Sequence, residues 1–322
     1  MARILLIKTS SLGDVVHNLP LVTDICAHDP NAIIDWVVEA PFADIPELHP
    51  RVRRVIPVAT RRWRGALWQR ATWREIGDFK RTLQTEKYDF VLDTQGLFKS
   101  VMLTKLAHGP SYGQDAESAR EPLATHLYNH RFRVVRGRHA VLRNRDLASQ
   151  ALGYVLPTTS PEYGVFAPRE ELPEGLNGPY VVCLHGTSRP LKQWPNAYWM
   201  TFVRELTQRG LTPVLPWGND SEQKRAQTFA AAAPGAVVLP RLPLRRLAVV
   251  LARAQAVIGM DTGLVHLAVA LNCPTVALFT DTSPALTGVY PANPQRALNL
   301  GDKGVVPTPA EVLAALAKLG AV

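Results

Sequence analysis

An Asp-Thr-Gly triplet at residues 261–263 follows the apolar run Ala256-Val257-Ile258-Gly259 and leads into a second one, Leu264-Val265-His266-Leu267-Ala268. A buried strand ending this way at a helix start offers free backbone N–H groups, a hydroxyl and a pliable turn, which suits a phosphate. Aspartic proteases carry the same triplet, but they need two carboxylates sharing one proton. A single copy in a chain of alternating strands and helices argues against that chemistry. Residues 185–195 supply two hydroxyls (Thr187, Ser188), Gly186 and two cations (Arg189, Lys192) ahead of another helix. Hydroxyl and N–H donors with Lys192 as a point charge fit a diphosphate; a plain polar loop with an exposed lysine is the alternative. Residues 216–222 suit a sugar or ribose, or simply a turn and a helix cap.

The segment Lys8-Thr9-Ser10-Ser11-Leu12-Gly13-Asp14 joins the first strand to the first helix. In an open α/β sheet such a loop faces the ligand, because ligands bind beyond the carboxyl ends of the strands. Asp14 has two readings. As a helix N-cap it satisfies backbone N–H groups; as a general base it accepts a hydroxyl proton. Neither G-x-G-x-x-G nor a Walker lysine motif is present, so ordinary dinucleotide and NTPase sites lack support. The chain also lacks an Asp-x-Asp pair, and its nine histidines lack ligand spacing, so no metal is expected. A departing diphosphate would then rely on protein cations and helix N-termini.

The elements that must carry these loops alternate. Strands are expected at residues 4–8, 33–38, 55–58 and 90–93. Helices are expected at 14–27, from the Trp/Arg stretch to about 84, at 97–107 and at 139–152. Residues 109–135 read as irregular, and residues 157–179, with five prolines, read as a linker. Alternation resumes with strands at 180–184, 212–215, 237–239, 256–258 and 275–279. The intervening helices fall at 196–209, 221–233 and 244–252, and a last one at 308–319 opens on Thr308 and Pro309. This predicts an α/β chain of two doubly wound parallel-sheet domains, residues 1–156 and 180–322, facing across a cleft. The C-terminal helix is free to pack back on the first domain.

At 322 residues, 47% hydrophobic and 20% charged, the chain reads as an ordinary globular protein of two domains. No apolar run spans a membrane, and the N-terminal one stops at Lys8, too soon for a signal peptide. Three distant cysteines (Cys26, Cys183, Cys273) read as buried thiols in a reducing cytoplasm. The net charge of +9 is uneven: residues 1–156 hold 22 Lys/Arg against 16 Asp/Glu, the rest 14 against 11. Between Arg51 and Arg74 lie eight arginines, three interleaved tryptophans (Trp63, Trp68, Trp73) and no acid. Such a patch suits nucleic acid, an anionic membrane surface or a polyanionic substrate; a solvated helix face is the bland alternative.

Several motifs in one order resemble the lipopolysaccharide heptosyltransferase I family, within glycosyltransferase family nine. They are the segment 8–14, Asp35-Trp36-Val37-Val38-Glu39, Arg61-Arg62-Trp63-Arg64, Asp93-Thr94-Gln95-Gly96-Leu97, Ala119-Arg120-Glu121-Pro122-Leu123-Ala124 and Asp261-Thr262-Gly263-Leu264-Val265-His266-Leu267. The resemblance implies a GT-B fold with the acceptor on the N-terminal domain and the donor on the C-terminal one. It implies inverting, metal-independent and cofactor-free transfer of L-glycero-D-manno-heptose from ADP-heptose to the inner Kdo of Kdo2-lipid A. Asp14 would be the base, and Thr187, Ser188 and Lys192 would hold the diphosphate. Asp261, Thr262, Gly263, Leu264 and His266 would complete the donor pocket, with Glu222 near the nucleoside or heptose and Leu242 beside the adenine. Leu242 stands where relatives carry methionine, and Pro190-Leu191 replaces a more polar pair. Ser10, Gly13, Arg61, Arg62, Arg64, Lys99, Arg120 and Arg143 would meet the acceptor's carboxylates and phosphates. Such an enzyme would be cytoplasmic, peripheral on the inner membrane, and would bind no nucleic acid. The alternatives are a heptosyltransferase II, which acts on heptose, and a sugar-nucleotide epimerase of similar fold.

Overall fold

A computed structural model describes residues 1–187 and 189–321. The chain forms two compact units, Met1–Val165 and Phe166–Val322. In the first, strands β1 (Arg3–Ile7), β2 (Ile33–Glu39), β3 (Val52–Val58), β4 (Phe90–Asp93), β5 (Ser111–Gln114) and β6 (His130–Phe132) form one sheet in the order β3-β2-β1-β4-β5-β6. All five pairings are parallel. Helices α1 (Leu12–Val16), α2 (Leu19–His28), α3 (Asp44–Glu47), α4 (Thr60–Arg64), α5 (Arg70–Leu83), α6 (Phe98–Thr104) and α7 (Ala140–Leu152) connect or flank the strands. On one face Leu5, Ile7, Val37, Ile56 and Val91 of the sheet pack with Trp63, Phe79 and Leu83 of α4 and α5.

The second unit repeats the plan. Strands β7 (Tyr180–Leu184), β8 (Thr212–Leu215), β9 (Val237–Val238), β10 (Ala256–Met260), β11 (Thr275–Leu278) and β12 (Ala297–Leu300) lie in the order β12-β11-β10-β7-β8-β9. These pairings too are all parallel. Its helices are α8 (Asn196–Gln208), α9 (Asp220–Ala231), α10 (Leu244–Ala252), α11 (Gly263–Ala270), α12 (Pro284–Thr287) and α13 (Pro309–Lys318). Trp194, Trp199, Phe202 and Phe229 pack with Val312 and Leu316 of α13, so the last helix closes this unit's own core. In each unit the first and fourth strands are central neighbours, and their connections leave in opposite directions. That is the switch point where an α/β sheet presents its loops to a ligand.

Four local expectations needed correction. The helix expected at 14–27 is broken at His17-Asn18 into α1 and α2, because Pro20 in an unbroken helix would clash with the Val16 carbonyl and leave it unpaired. The Trp/Arg helix is likewise two, α4 and α5, with a turn over residues 65–69. The supposedly irregular residues 109–135 contain β5 and β6, whose Tyr112 stacks on His130 and Phe132. The edge strand β12 had no expected counterpart. Residues 157–179, the expected linker, make packing and ionic contacts of their own. Tyr163, Val165 and Leu176 are buried, and Glu170 pairs with Arg245 and Arg246 of α10. All three cysteines are buried and free, and burial raises the Cys273 thiol to about 12.

Candidate active site

In the first unit, β1, β2 and β4 end around one loop, residues 8–11, and parallel pairing brings their carboxyl ends level. The Gln95 amide, just past β4, clasps this loop. Its Oε1 accepts from the N–H of Thr9 (3.0 Å) and Ser10 (3.3 Å), and its Nε2 donates to the Ser10 carbonyl (2.7 Å). Beneath it the buried Lys8 ammonium donates to the Thr94 carbonyl at 2.9 Å. Burial lowers the Lys8 pKa, while Asp14 and Asp93 act to raise it. The fully buried Asp93 accepts from Tyr128 (2.6 Å) and from the Gln95 N–H (2.8 Å), and burial raises its pKa.

Asp14 occupies the third position of α1, so it is not the N-cap; Ser11 is. Its Oδ2 accepts from the Ser11 N–H (2.8 Å) and hydroxyl (2.9 Å), which fixes the half-buried carboxylate in a capping-box arrangement. Only one carboxylate oxygen is engaged in these bonds. The capping-box bond thus leaves room for the base reading, since the other oxygen makes no hydrogen bond among the described residues.

Cations surround this loop. Lys99 of α6 donates to the Ser10 hydroxyl at 2.9 Å. Burial lowers the Lys99 pKa; Glu39 and Asp14 act to raise it, and Arg61 and Arg64 to lower it further. Arg143 of α7 donates to Gln114 (3.2 Å) and to the Ser118 carbonyl (2.9 Å), and its charge also reaches Lys8. The structure thus gathers Ser10, Gly13, Asp14, Lys99, Arg61, Arg64 and Arg143 around the β1 end. Arg62 is held by Glu75 in a two-pronged pair (3.0 and 2.7 Å). Arg120 is exposed before the turn at Pro122–Leu127 and makes no hydrogen bond or ion pair with this group among the described residues.

In the second unit the loops after β7 and β10 flank the switch point. Lys192 ends the short turn Pro190–Lys192, and its Nζ lies 2.5 Å from Asp261 Oδ2. Thr282 donates to the same oxygen at 2.8 Å. Thr262 caps α11, with Gly263 and Leu264 in its first turn, so unpaired N–H groups open beside the Lys192–Asp261 pair. His266 is buried one turn on. The Thr187 hydroxyl is buried without a hydrogen-bond partner among the described residues; Ser188 lies outside them. Glu222 of α9 accepts from the Gly218 N–H (2.8 Å), and a Cβ at Gly186 would stand 2.8 Å from its Oε1. A side chain at Gly186 would therefore push the Glu222 carboxylate aside. Leu242 is half-buried just ahead of α10. His185, under this loop, sits edge-on to Trp199 and Phe229, and burial pushes its pKa down to about 4.

Sequence reasoning placed Gln95 in a motif without a role and passed over Thr282. Both sit just beyond a strand's carboxyl end, which is the signal that would have raised them. Lys8 was quoted in its loop without a role.

The comparisons with known proteins agree with one another. A family model described as glycosyltransferase family 9 (heptosyltransferase) matches residues 76–308. Lipopolysaccharide heptosyltransferase 1 of Pseudomonas aeruginosa is 49% identical over 290 residues, spanning 89% of this chain and 81% of that protein. The Escherichia coli heptosyltransferase WaaC with ADP has a TM-score of 0.91 at 38% identity, covering 98% of this chain and 99% of that one. WaaC with ADP-2-deoxy-2-fluoro heptose has a TM-score of 0.87 with the same identity and coverage. The two six-stranded sheets with flanking helices match its GT-B fold. The chain belongs to glycosyltransferase family 9, the heptosyltransferases, and lies among those of the lipopolysaccharide heptosyltransferase 1 type.

Proposed function

We propose that the protein transfers L-glycero-D-manno-heptose from ADP-heptose to the inner Kdo of Kdo2-lipid A, in one inverting, metal-independent displacement. The observation that carries this reading is the Asp14 carboxylate, fixed through one oxygen at the end of a central strand amid Lys8, Lys99, Arg61 and Arg64. A Kdo hydroxyl attacks the heptose anomeric carbon while its proton passes to Asp14. The bond from that carbon to the phosphate oxygen breaks, and ADP leaves with the electron pair. Lys192 and the first N–H groups of α11 take up the developing negative charge, with Thr187 and Ser188 as further donors. Asp261, itself steadied by Thr282, holds Lys192 in place until the diphosphate competes for it. Glu222 serves the nucleoside or heptose, with Leu242 beside the adenine.

The acceptor brings carboxylates and phosphates, which Arg61, Arg64, Lys99 and Arg143 are suited to meet; Lys99 already bonds the Ser10 hydroxyl. No helix is long and apolar enough to cross a membrane among the described residues; we read contact with the inner membrane as peripheral.

The test is incubation with ADP-heptose and either Kdo2-lipid A or a heptosylated acceptor, with product mass as the readout. One heptose added to Kdo2-lipid A is the expected result, and transfer only to the heptosylated acceptor would assign the second-type reaction. Asp14→Asn should lose about a hundredfold or more in turnover with ADP-heptose affinity intact. Unchanged turnover would remove the base assignment. Lys192→Ala should instead weaken donor binding or slow ADP departure.

A further inference from the structure

The turn between α4 and α5, with the first turn of α5, carries three apolar side chains that the folded core does not use. Leu67, Trp68 and Trp73 are 46%, 79% and 60% exposed. They do not belong to a loose loop. On its inner side Trp63 is buried against Phe79 (ring centroids 5.7 Å apart), and its Nε1 donates to Glu75 at 2.9 Å. The turn is closed by backbone bonds from Gly65 to Arg62 (3.1 Å), Ala66 to Trp63 (2.9 Å) and Gln69 to Ala66 (3.0 Å). Trp73 Nε1 donates to the Leu67 carbonyl at 2.8 Å, which ties the two ends of the apolar patch together.

The charges around this patch have one sign. Arg61, Arg64, Arg70 and Arg74 are exposed and make no ion pair among the described residues. The two nearest acids in sequence are engaged: Glu75 holds Arg62, and Asp78 pairs with Arg81. A fixed wedge of two indoles and a leucine inside a ring of free guanidiniums matches the boundary of an anionic bilayer. Tryptophan favours the headgroup level there, and each arginine gains from the surface potential. A base-stacking platform would use the indoles and arginines but has no need of Leu67.

We propose that residues 65–74 form a membrane-docking wedge, with Trp68, Trp73 and Leu67 entering the interface of an anionic lipid surface and Arg70 and Arg74 pairing with its phosphates. The proposal rests on the reading that the acceptor is lipid-borne, but its test does not need the acceptor.

The full chain is floated with vesicles of phosphatidylethanolamine and phosphatidylglycerol, and separately with neutral phosphatidylcholine vesicles, none containing Kdo2-lipid A. Binding to the first and not the second is expected, with blue-shifted tryptophan emission quenched by brominated lipid. Trp68→Ala with Trp73→Ala, and separately Arg70→Glu with Arg74→Glu, should each weaken partition about tenfold or more. Trp68 is 79% exposed and makes no hydrogen bond among the described residues, so Trp68→Ala alone should leave the thermal unfolding midpoint unchanged while partition falls in part. Turnover on a deacylated Kdo acceptor should be unchanged in the tryptophan variants. The wedge is overturned by absent flotation, by flotation that the tryptophan variants leave intact, or by a single-stranded oligonucleotide binding where vesicles do not. Turnover without vesicle binding sinks the wedge alone; vesicle binding without turnover sinks the transfer reading alone.

Discussion

At the scale of single residues, the first unit's site depends on side chains that hold backbone as much as on those that would touch substrate. Gln95 satisfies three backbone groups of Thr9 and Ser10. We read it as a positioning residue for the loop that carries Asp14. Gln95→Leu keeps much of the volume and removes those bonds. Turnover should fall about tenfold, in keeping with the sensitivity of catalysis to small misplacements, while the ADP-heptose KM stays constant. A change in KM with turnover preserved would point to general disorder of the fold instead. Lys192 shows the opposite arrangement, a cation held by Asp261, whose carboxylate also accepts from Thr282, in a pair that a diphosphate can exchange into. The wish for a charged group near the phosphate was legible in the sequence. Its partner 69 residues away was not.

At the scale of elements, two strands show what the arginine run is for. Asp35 of β2 is fully buried and accepts from Arg53 (2.9 and 2.7 Å), Arg54 (3.2 and 3.0 Å) and Tyr88 (2.8 Å). Burial pushes its carboxyl up, but these bonds and charges outweigh it and leave the pKa below the usual range. A depressed carboxyl contributes stability that is present above its unfolded pKa, near 4, and is lost as pH falls through the folded value. Asp35→Asn should therefore cost about 2 kcal/mol at neutral pH, less than the roughly 3–5 kcal/mol of a fully buried pair because the guanidiniums are 38% and 30% exposed. Its urea midpoint should also fall less steeply below pH 4 than that of the wild type. Equal acid slopes would show that another carboxylate governs. In the second unit, β10 must lie close to β7 and α11. A Cβ at Gly259 would come within 2.6 Å of Leu184 Cβ and Val265 Cγ2. Gly259→Ala should cost about 1–3 kcal/mol in thermal unfolding and weaken ADP binding by shifting the start of α11. Normal ADP affinity in a destabilised variant would separate that helix from the donor.

At the scale of the whole chain, the charge excess sits in the half that holds the Asp14 loop, and the structure sorts its arginines into two kinds. Arg53, Arg54 and Arg62 are engaged by Asp35 and Glu75, whereas Arg61 and Arg64 remain exposed. Reversing the charge at Arg61, Arg62 and Arg64 together should raise the acceptor KM about tenfold or more at low salt and leave the donor KM unchanged. The gap should narrow as salt screens the surface. A donor effect instead would assign the patch to something other than the acceptor.

The alternation of apolar runs and turn signals determined two parallel-sheet units and the strands that end in the 8–14, 185–192 and 261–263 loops, because local periodicity is what builds a strand or helix. Short edge strands such as β6 and β12 left no such trace. They exist only because a neighbouring strand offers its free N–H and C=O groups. Which side chains meet was likewise decided by the tertiary structure. Asp35 reaches Arg53 and Arg54, Gln95 clasps Thr9 and Ser10, and Asp261 holds Lys192 through strand order and register, which pair residues far apart in the chain. Composition alone announced a basic, tryptophan-rich stretch; only packing separated the buried Trp63 from the outward Trp68 and Trp73, since burial depends on what lies opposite.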